Sequence, residues 1–214
     1  KKLPAEVGAG RVPIAVIDSA VRRVLRAKYE RGLFEDPYRY ASVSRERALT
    51  LAPAFVAEAR DMARRSIVLL KNEGGVLPLR KDLRAIAVIG PLADDATSAL
   101  GAWAGAGRPE DAVTPLAGIR QAVVAGGGRV LYARGASADT ADSSGFAEAV
   151  RVAREADAVV LVIGEREDMS GEAHSRASLD LPGVQNELTR AVYNAARASG
   201  KPVVAVLMNG RPLS

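Results

Sequence analysis

Apolar positions follow two different periods along this chain. Over residues 13–31, Ile14, Ile17, Val21, Val24 and Leu25 recur at helical spacing, while Arg22, Arg23, Arg26 and Glu30 occupy the other faces, which predicts an amphipathic helix. Gly32 stands where a C-terminal cap glycine belongs, and Leu33 to Tyr38, with Pro37, predicts an extended exit. A second amphipathic helix is predicted over 53–70, with Phe55, Ala59, Met62, Ser66 and Leu69 on one face, ending in the turn signal Lys71-Asn72-Glu73-Gly74-Gly75.

Beyond residue 85 the pattern changes. Short unalternating apolar runs at 86–89, 130–132, 159–163 and 203–207 are flanked by glycine or proline, as strands buried on both faces are. Helical segments separate them. Thr114 as N-cap and Pro115 at the first helical position open one helix, which runs through Ile119 and Val123 to the stop Gly126-Gly127-Gly128. Two more are expected at 146–156 and 184–199, the latter followed by Gly200. The alternation predicts an α/β fold, a layered and mainly parallel sheet flanked by helices.

Composition narrows the function classes. The chain of 214 residues is 48% hydrophobic, enough for a core, but only 4% aromatic, so Ala, Val, Leu and Ile must supply the burial. Its 30 basic and 25 acidic residues leave a net charge of +5, with arginines spread over helical faces; no basic stripe with interleaved aromatics points to nucleic acid. The absence of cysteine removes disulfides and thiolate metal sites and is silent on compartment. Lys1-Lys2-Leu3-Pro4 lacks the apolar run of a signal peptide, and no stretch has the length of a membrane span.

Ligands of open parallel sheets bind beyond the carboxyl ends of the strands, which directs attention to the loops after Ile89, Ile163 and Met208. The loop 164–176 holds four carboxylates, Glu165, Glu167, Asp168 and Glu172, and the only histidine, His174. Crowded carboxylates raise one another's pKa and can serve as general acids. The plainer alternative is a solvated acidic loop. His174 with Glu172 or Asp168 is a poor zinc signal without a second histidine at ligand spacing, so no metal is expected. The glycine-rich stretch 101–109 lacks the ending of a phosphate loop, and Trp103 within it is either a packing residue, the preferred reading, or a platform for a sugar ring.

Several phrases, in order, resemble glycoside hydrolase family 3 of the bacterial β-glucosidase and β-xylosidase type. Ile17-Asp18-Ser19-Ala20-Val21-Arg22-Arg23-Val24-Leu25 with Gly32-Leu33-Phe34-Glu35 resembles the last helix of that family's TIM-like barrel. Ser66-Ile67-Val68-Leu69-Leu70-Lys71-Asn72, Gly75-Val76-Leu77-Pro78-Leu79, Val88-Ile89-Gly90-Pro91 and Gly101-Ala102-Trp103 resemble successive parts of its α/β sandwich domain. Ser170-Gly171-Glu172-Ala173-His174-Ser175-Arg176 resembles its acid/base loop.

The resemblance implies a barrel remnant over 1–40, a linker over 41–52 and a sandwich domain over 53–214 that is cut short at its C-terminus. It implies a retaining, exo-acting β-glycosidase, foremost a β-glucosidase, that needs no cofactor and acts on β-linked oligosaccharides or aryl β-glycosides, without nucleic-acid or membrane partners. Glu172 is the implied acid/base. Glu165 is the second choice, with a structural or pKa-tuning role at the base of the loop, Arg176 supports the loop, and His174 and Met169 are sugar contacts. The nucleophile would lie in the missing barrel, which is the principal partner, so these residues alone are expected to be inactive. A β-xylosidase, a glycoside phosphorylase or a non-catalytic sugar-binding α/β module remain alternatives. Sugar, linkage and compartment are not specified, with a lean towards periplasm or secretion.

Overall fold

The computed structural model describes residues 2–214, which fall into two compact units divided between Leu70 and Lys71. The first unit holds four helices: α1 (Leu3–Gly8), α2 (Ile14–Glu30), α3 (Val43–Leu49) and α4 (Pro53–Ser66). None of their residues is buried, and Val24, Leu25, Phe55 and Met62 of the two predicted apolar faces stand open to solvent.

Helix α2 ends as its sequence predicts. Gly32 takes φ +64°, Leu33 N donates to Lys28 O at 3.0 Å and Gly32 N to Tyr29 O at 2.8 Å, the paired bonds that close a helix on a left-handed glycine. The following segment is not extended, however: it folds into turns, with Asp36 N bonded to Gly32 O at 3.1 Å. Helix α4 is also shorter than expected. It stops at Ser66, and Ile67 leaves in an extended conformation (ψ 125°), since the β-branched pair Ile67-Val68 loses side-chain freedom in a helix.

The second unit is a three-layer α/β sandwich, as expected. Its elements are β1 (Ala85–Ile89), α5 (Ala96–Leu100), α6 (Pro115–Ala125), β2 (Arg129–Ala133), α7 (Phe146–Glu155), β3 (Ala158–Gly164), α8 (Gln185–Arg197) and β4 (Val203–Met208). The four strands form one parallel sheet in the order β2-β1-β3-β4. Central strands β1 and β3 are buried throughout, which explains their unbroken apolar runs.

Successive residues of those strands serve opposite layers. Ala85, Ala87, Ile89, Val159 and Leu161 pack with Ala149, Val152 and Ala153 of α7 and Leu188, Val192 and Ala196 of α8. Ile86, Val88, Val160 and Val162 pack with Leu92 and Leu116, with Ile119 and Val123 of α6 alongside. The predicted cap of α6 is present: Thr114 Oγ1 accepts from Ala117 N at 3.1 Å. Sequence order reverses between β1 and β3, so the loops leaving those strands diverge and open a crevice at the carboxyl edge of the sheet.

Candidate functional site

The loop leaving β3 begins at a point where backbone crowds backbone. Gly164 has φ +135°, and a Cβ there would lie 1.9 Å from Met208 O, so only glycine lets β3 exit this close to β4. Gln185, wholly buried in the first turn of α8, holds the same residue. Its Oε1 accepts from Gly164 N at 2.9 Å, while its Nε2 donates to Gly164 O at 2.8 Å and to Ala138 O at 2.7 Å. One amide thereby satisfies three backbone groups beyond the end of β1.

Glu165 follows and is 4% exposed. Its amide donates to Met208 O at 2.8 Å, and its carboxylate receives Arg176 Nη1 at 2.5 Å and Arg211 Nε at 3.1 Å. A buried carboxylate with two guanidinium partners is fixed in place by charge-assisted hydrogen bonds, so its oxygens serve the loop's own structure. Arg176 also donates to Asp180 O at 2.9 Å. Arg176 thereby links the first residue of the loop to the segment at Asp180.

The other carboxylates of the loop do not converge on one point. Asp168 is gripped by Arg166, whose Nη2 lies 2.8 Å from Oδ2, and the guanidinium holds that carboxyl below its usual range. Arg166 also reaches Asp139 at 2.8 Å. Glu167 Oε2 lies 2.8 Å from the Ser98 hydroxyl, which is likewise 2.8 Å from Asp95 Oδ2 at the start of α5. The loops after β1 and β3 therefore meet across the crevice through Ser98.

Glu172 alone is left over: it is exposed and makes no hydrogen bond or ion pair among the described residues. It occupies a tight turn closed by His174 N donating to Gly171 O at 3.3 Å, between Gly171 (φ +112°) and Ala173 (φ +63°). A non-glycine residue in the left-handed region is strained by roughly 1–2 kcal/mol, and such strain collects where a loop presents a functional group. A Cβ on Gly171 would lie 3.2 Å from Ala102 Cβ and 4.0 Å from Trp103 Cζ2, so this turn sits beside the 101–103 segment. Trp103 is 76% exposed, which overturns the packing role preferred for it from sequence.

His174 and Met169 come together with Asp139, Ser175, Arg176 and Pro182 around an open cavity of about 310 Å³. Among the described residues, no group of three or more His, Cys, Asp or Glu side chains is placed to hold a metal ion, and no helix is long and apolar enough to cross a membrane. Sequence reasoning missed Gln185 and Arg211. Arg211 lies on the loop after Met208, one of the three that the strand-end rule singles out, so a signal for it existed; Gln185 carried none.

The family model described as Glycosyl hydrolase family 3 C-terminal domain matches residues 67–214. A periplasmic β-glucosidase of Salmonella typhimurium is 40% identical over the whole chain, and a β-xylosidase of Formosa agariphila is 38% identical over 92% of it. The crystal structure of a β-glucosidase from Listeria innocua in complex with isofagomine superposes with a TM-score of 0.84 at 33% identity, covering 99% of the chain. The chain spans 30%, 27% and 28% of the length of these three proteins, respectively.

Proposed function

The chain belongs to glycoside hydrolase family 3, and from that premise we propose that it supplies the acid/base half of a retaining, exo-acting β-glycosidase, with Glu172 as the proton donor and acceptor. The observation that carries this reading is the partition of carboxylates in the loop after β3. Glu165, Glu167 and Asp168 are each engaged, whereas Glu172 stands free on a strained turn at the carboxyl edge of the sheet. A group that first protonates a leaving oxygen and then activates water needs such freedom from fixed cations.

In this reading Glu165 and Arg176 hold the loop, and His174 and Met169 border the space where part of the sugar or its leaving group rests. The nucleophilic carboxylate comes from a barrel outside these 214 residues and approaches Glu172 to about 5–5.5 Å across the glycosidic bond, as retention requires. That barrel also covers the open apolar faces of α2 and α4, residues 1–40 being its last part, 41–52 a linker and 53–214 the sandwich domain. Alone, residues 1–214 hold one carboxylate of the required pair and do not turn over glycosides.

β-Glucosides are the first substrate class, and the name of the Salmonella relative supports a periplasmic setting. A β-xylosidase is the second reading, supported by the Formosa relative. The test uses the full-length protein with aryl β-glucosides and aryl β-xylosides, comparing wild type with Glu172→Ala. General acid/base catalysis contributes about 10²–10⁴-fold, so a loss of that size is expected, smallest for good leaving groups and partly restored by azide. Unchanged activity in Glu172→Ala would remove the assignment, and the preferred aryl glycoside decides between the two sugars.

A further inference from the structure

We infer that Arg211 is the positioning residue for the acid/base turn. This inference rests on the reading of Glu172 given above. Arg211 lies three residues beyond β4, and its side chain is 18% exposed. Its Nε donates to the buried Glu165 carboxylate at 3.1 Å. Its Nη2 donates to two backbone carbonyls, Met169 O and His174 O, the latter at 2.9 Å. Those carbonyls flank Glu172, three residues before it and two after it.

One nitrogen therefore ties the two ends of the segment 169–174 together, and the rest of the same planar group fastens them to the base of the loop. The turn of Gly171 to His174 stands on that closure. A second contact locks the same pair of segments: a Cβ on Gly210, the residue before Arg211, would fall 2.2 Å from Ser170 Oγ and 2.7 Å from Ser170 Cβ. The acid/base loop thus rests directly on the backbone after β4. Arg176 grips Glu165 too, but its other bond goes to Asp180 O, past the loop, so it closes the base and leaves the tip to Arg211.

Lysine replaces this function only in part. An ammonium is a single point charge, whereas the guanidinium presents donors in a fixed planar fork that reaches a carboxylate and two carbonyls at once. Losing the fork frees residues 169–174 from the sheet while leaving the Glu172 carboxyl chemically intact. The predicted defect is therefore selective: protonation of the leaving oxygen suffers, and steps that need no proton do not.

The test places Arg211→Met, Arg211→Lys and Glu172→Ala in the full-length protein. It compares phenyl β-glucoside, whose leaving group needs protonation, with 2,4-dinitrophenyl β-glucoside, whose leaving group does not. For Arg211→Met, kcat/KM on the phenyl glucoside should fall about 100-fold, and on the dinitrophenyl glucoside by less than about threefold, the same split as for Glu172→Ala. Arg211→Lys should show the same split at a smaller size, and it carries the comparison if Arg211→Met does not fold. Equal losses on both substrates would reduce Arg211 to a residue of general stability and overturn the inference, as would wild-type rates on both. A split in Glu172→Ala without one in the Arg211 variants would remove this inference alone; no split in Glu172→Ala would remove the functional reading, and this inference with it.

Discussion

Replacing Gln185 by leucine isolates the contribution of the clamp behind the site. The side chain is wholly buried, and leucine fills similar space, so the main change is chemical: Gly164 N, Gly164 O and Ala138 O lose their partner. A buried polar group left without a hydrogen bond costs about 1–3 kcal/mol, and partial relaxation of neighbouring backbone brings the total for three groups to about 3–5 kcal/mol. This is a large share of the roughly 5–15 kcal/mol that keeps a domain folded. Because Gly164 and Ala138 lie beyond the end of β1, the loss should be local first, opening the exit of β3 and the loop 135–139 before the sheet. Native-state hydrogen exchange read by mass spectrometry on peptides covering 160–170 should then accelerate by at least about 100-fold, at about 1.4 kcal/mol per tenfold, with a smaller change in β1. Exchange within about threefold of wild type across 160–170 would refute the reasoning, for it would mean that water or a shifted backbone satisfies these groups without cost.

Two further outcomes follow from the same region. Gly164→Ala places a Cβ 1.9 Å from Met208 O at φ +135°, a clash of backbone with backbone that no rotamer relieves, so a loss above about 3 kcal/mol and insoluble expression are expected, checked by soluble yield and melting temperature. The Asp168 carboxyl is held below its usual range by Arg166, so its contribution to stability is present above the ordinary carboxylate value and is lost as pH falls through the depressed one. Asp168 is half exposed, which limits the effect to under about 1 kcal/mol, and an acid titration of unfolding should show Arg166→Met less sensitive than wild type below about pH 4.

The sheet was legible because each strand is a short apolar run with its own punctuation. Ile86 to Ile89 and Val159 to Ile163 do not alternate, because alternate residues face helices on both sides, and sequence records that demand directly. Caps were legible for the same local reason: Thr114 bonds the amide three residues on, and Gly32 bonds the carbonyl three residues back. The site was only half legible. Its position after β3 followed from topology, and the Arg176 contact joins residues 11 apart, within one loop. Which carboxylate would be free did not follow, because that is decided by partners from elsewhere: Ser98 lies 69 residues from Glu167, Arg211 46 from Glu165, and Gln185 21 from Gly164. The end of α4 was misjudged because Leu69 continues the apolar period of the helix although the β-branched pair before it stops the backbone.

These partners also revise how the loop can work. Gly171 beside Glu172 gives the backbone freedom to bend at one point, and that freedom does not extend to the whole of 165–176. The structure instead fixes the loop at Glu165, at Arg166 with Asp168, at Glu167, at the Met169 and His174 carbonyls, and at Arg176. Between the anchors at Met169 and His174 residues 170–173 remain, a span of four, and it is already strained at Ala173. A hinge of that size adjusts the direction of one carboxyl group and cannot carry it far. In the proposed enzyme the approach of the two catalytic carboxyls to about 5–5.5 Å is therefore set by how the domains dock, with the fastened loop presenting Glu172 at a fixed height above the sheet. Catalysis would then be sensitive to substitutions at the loop's base, far from the sugar, in proportion to how much they loosen that height.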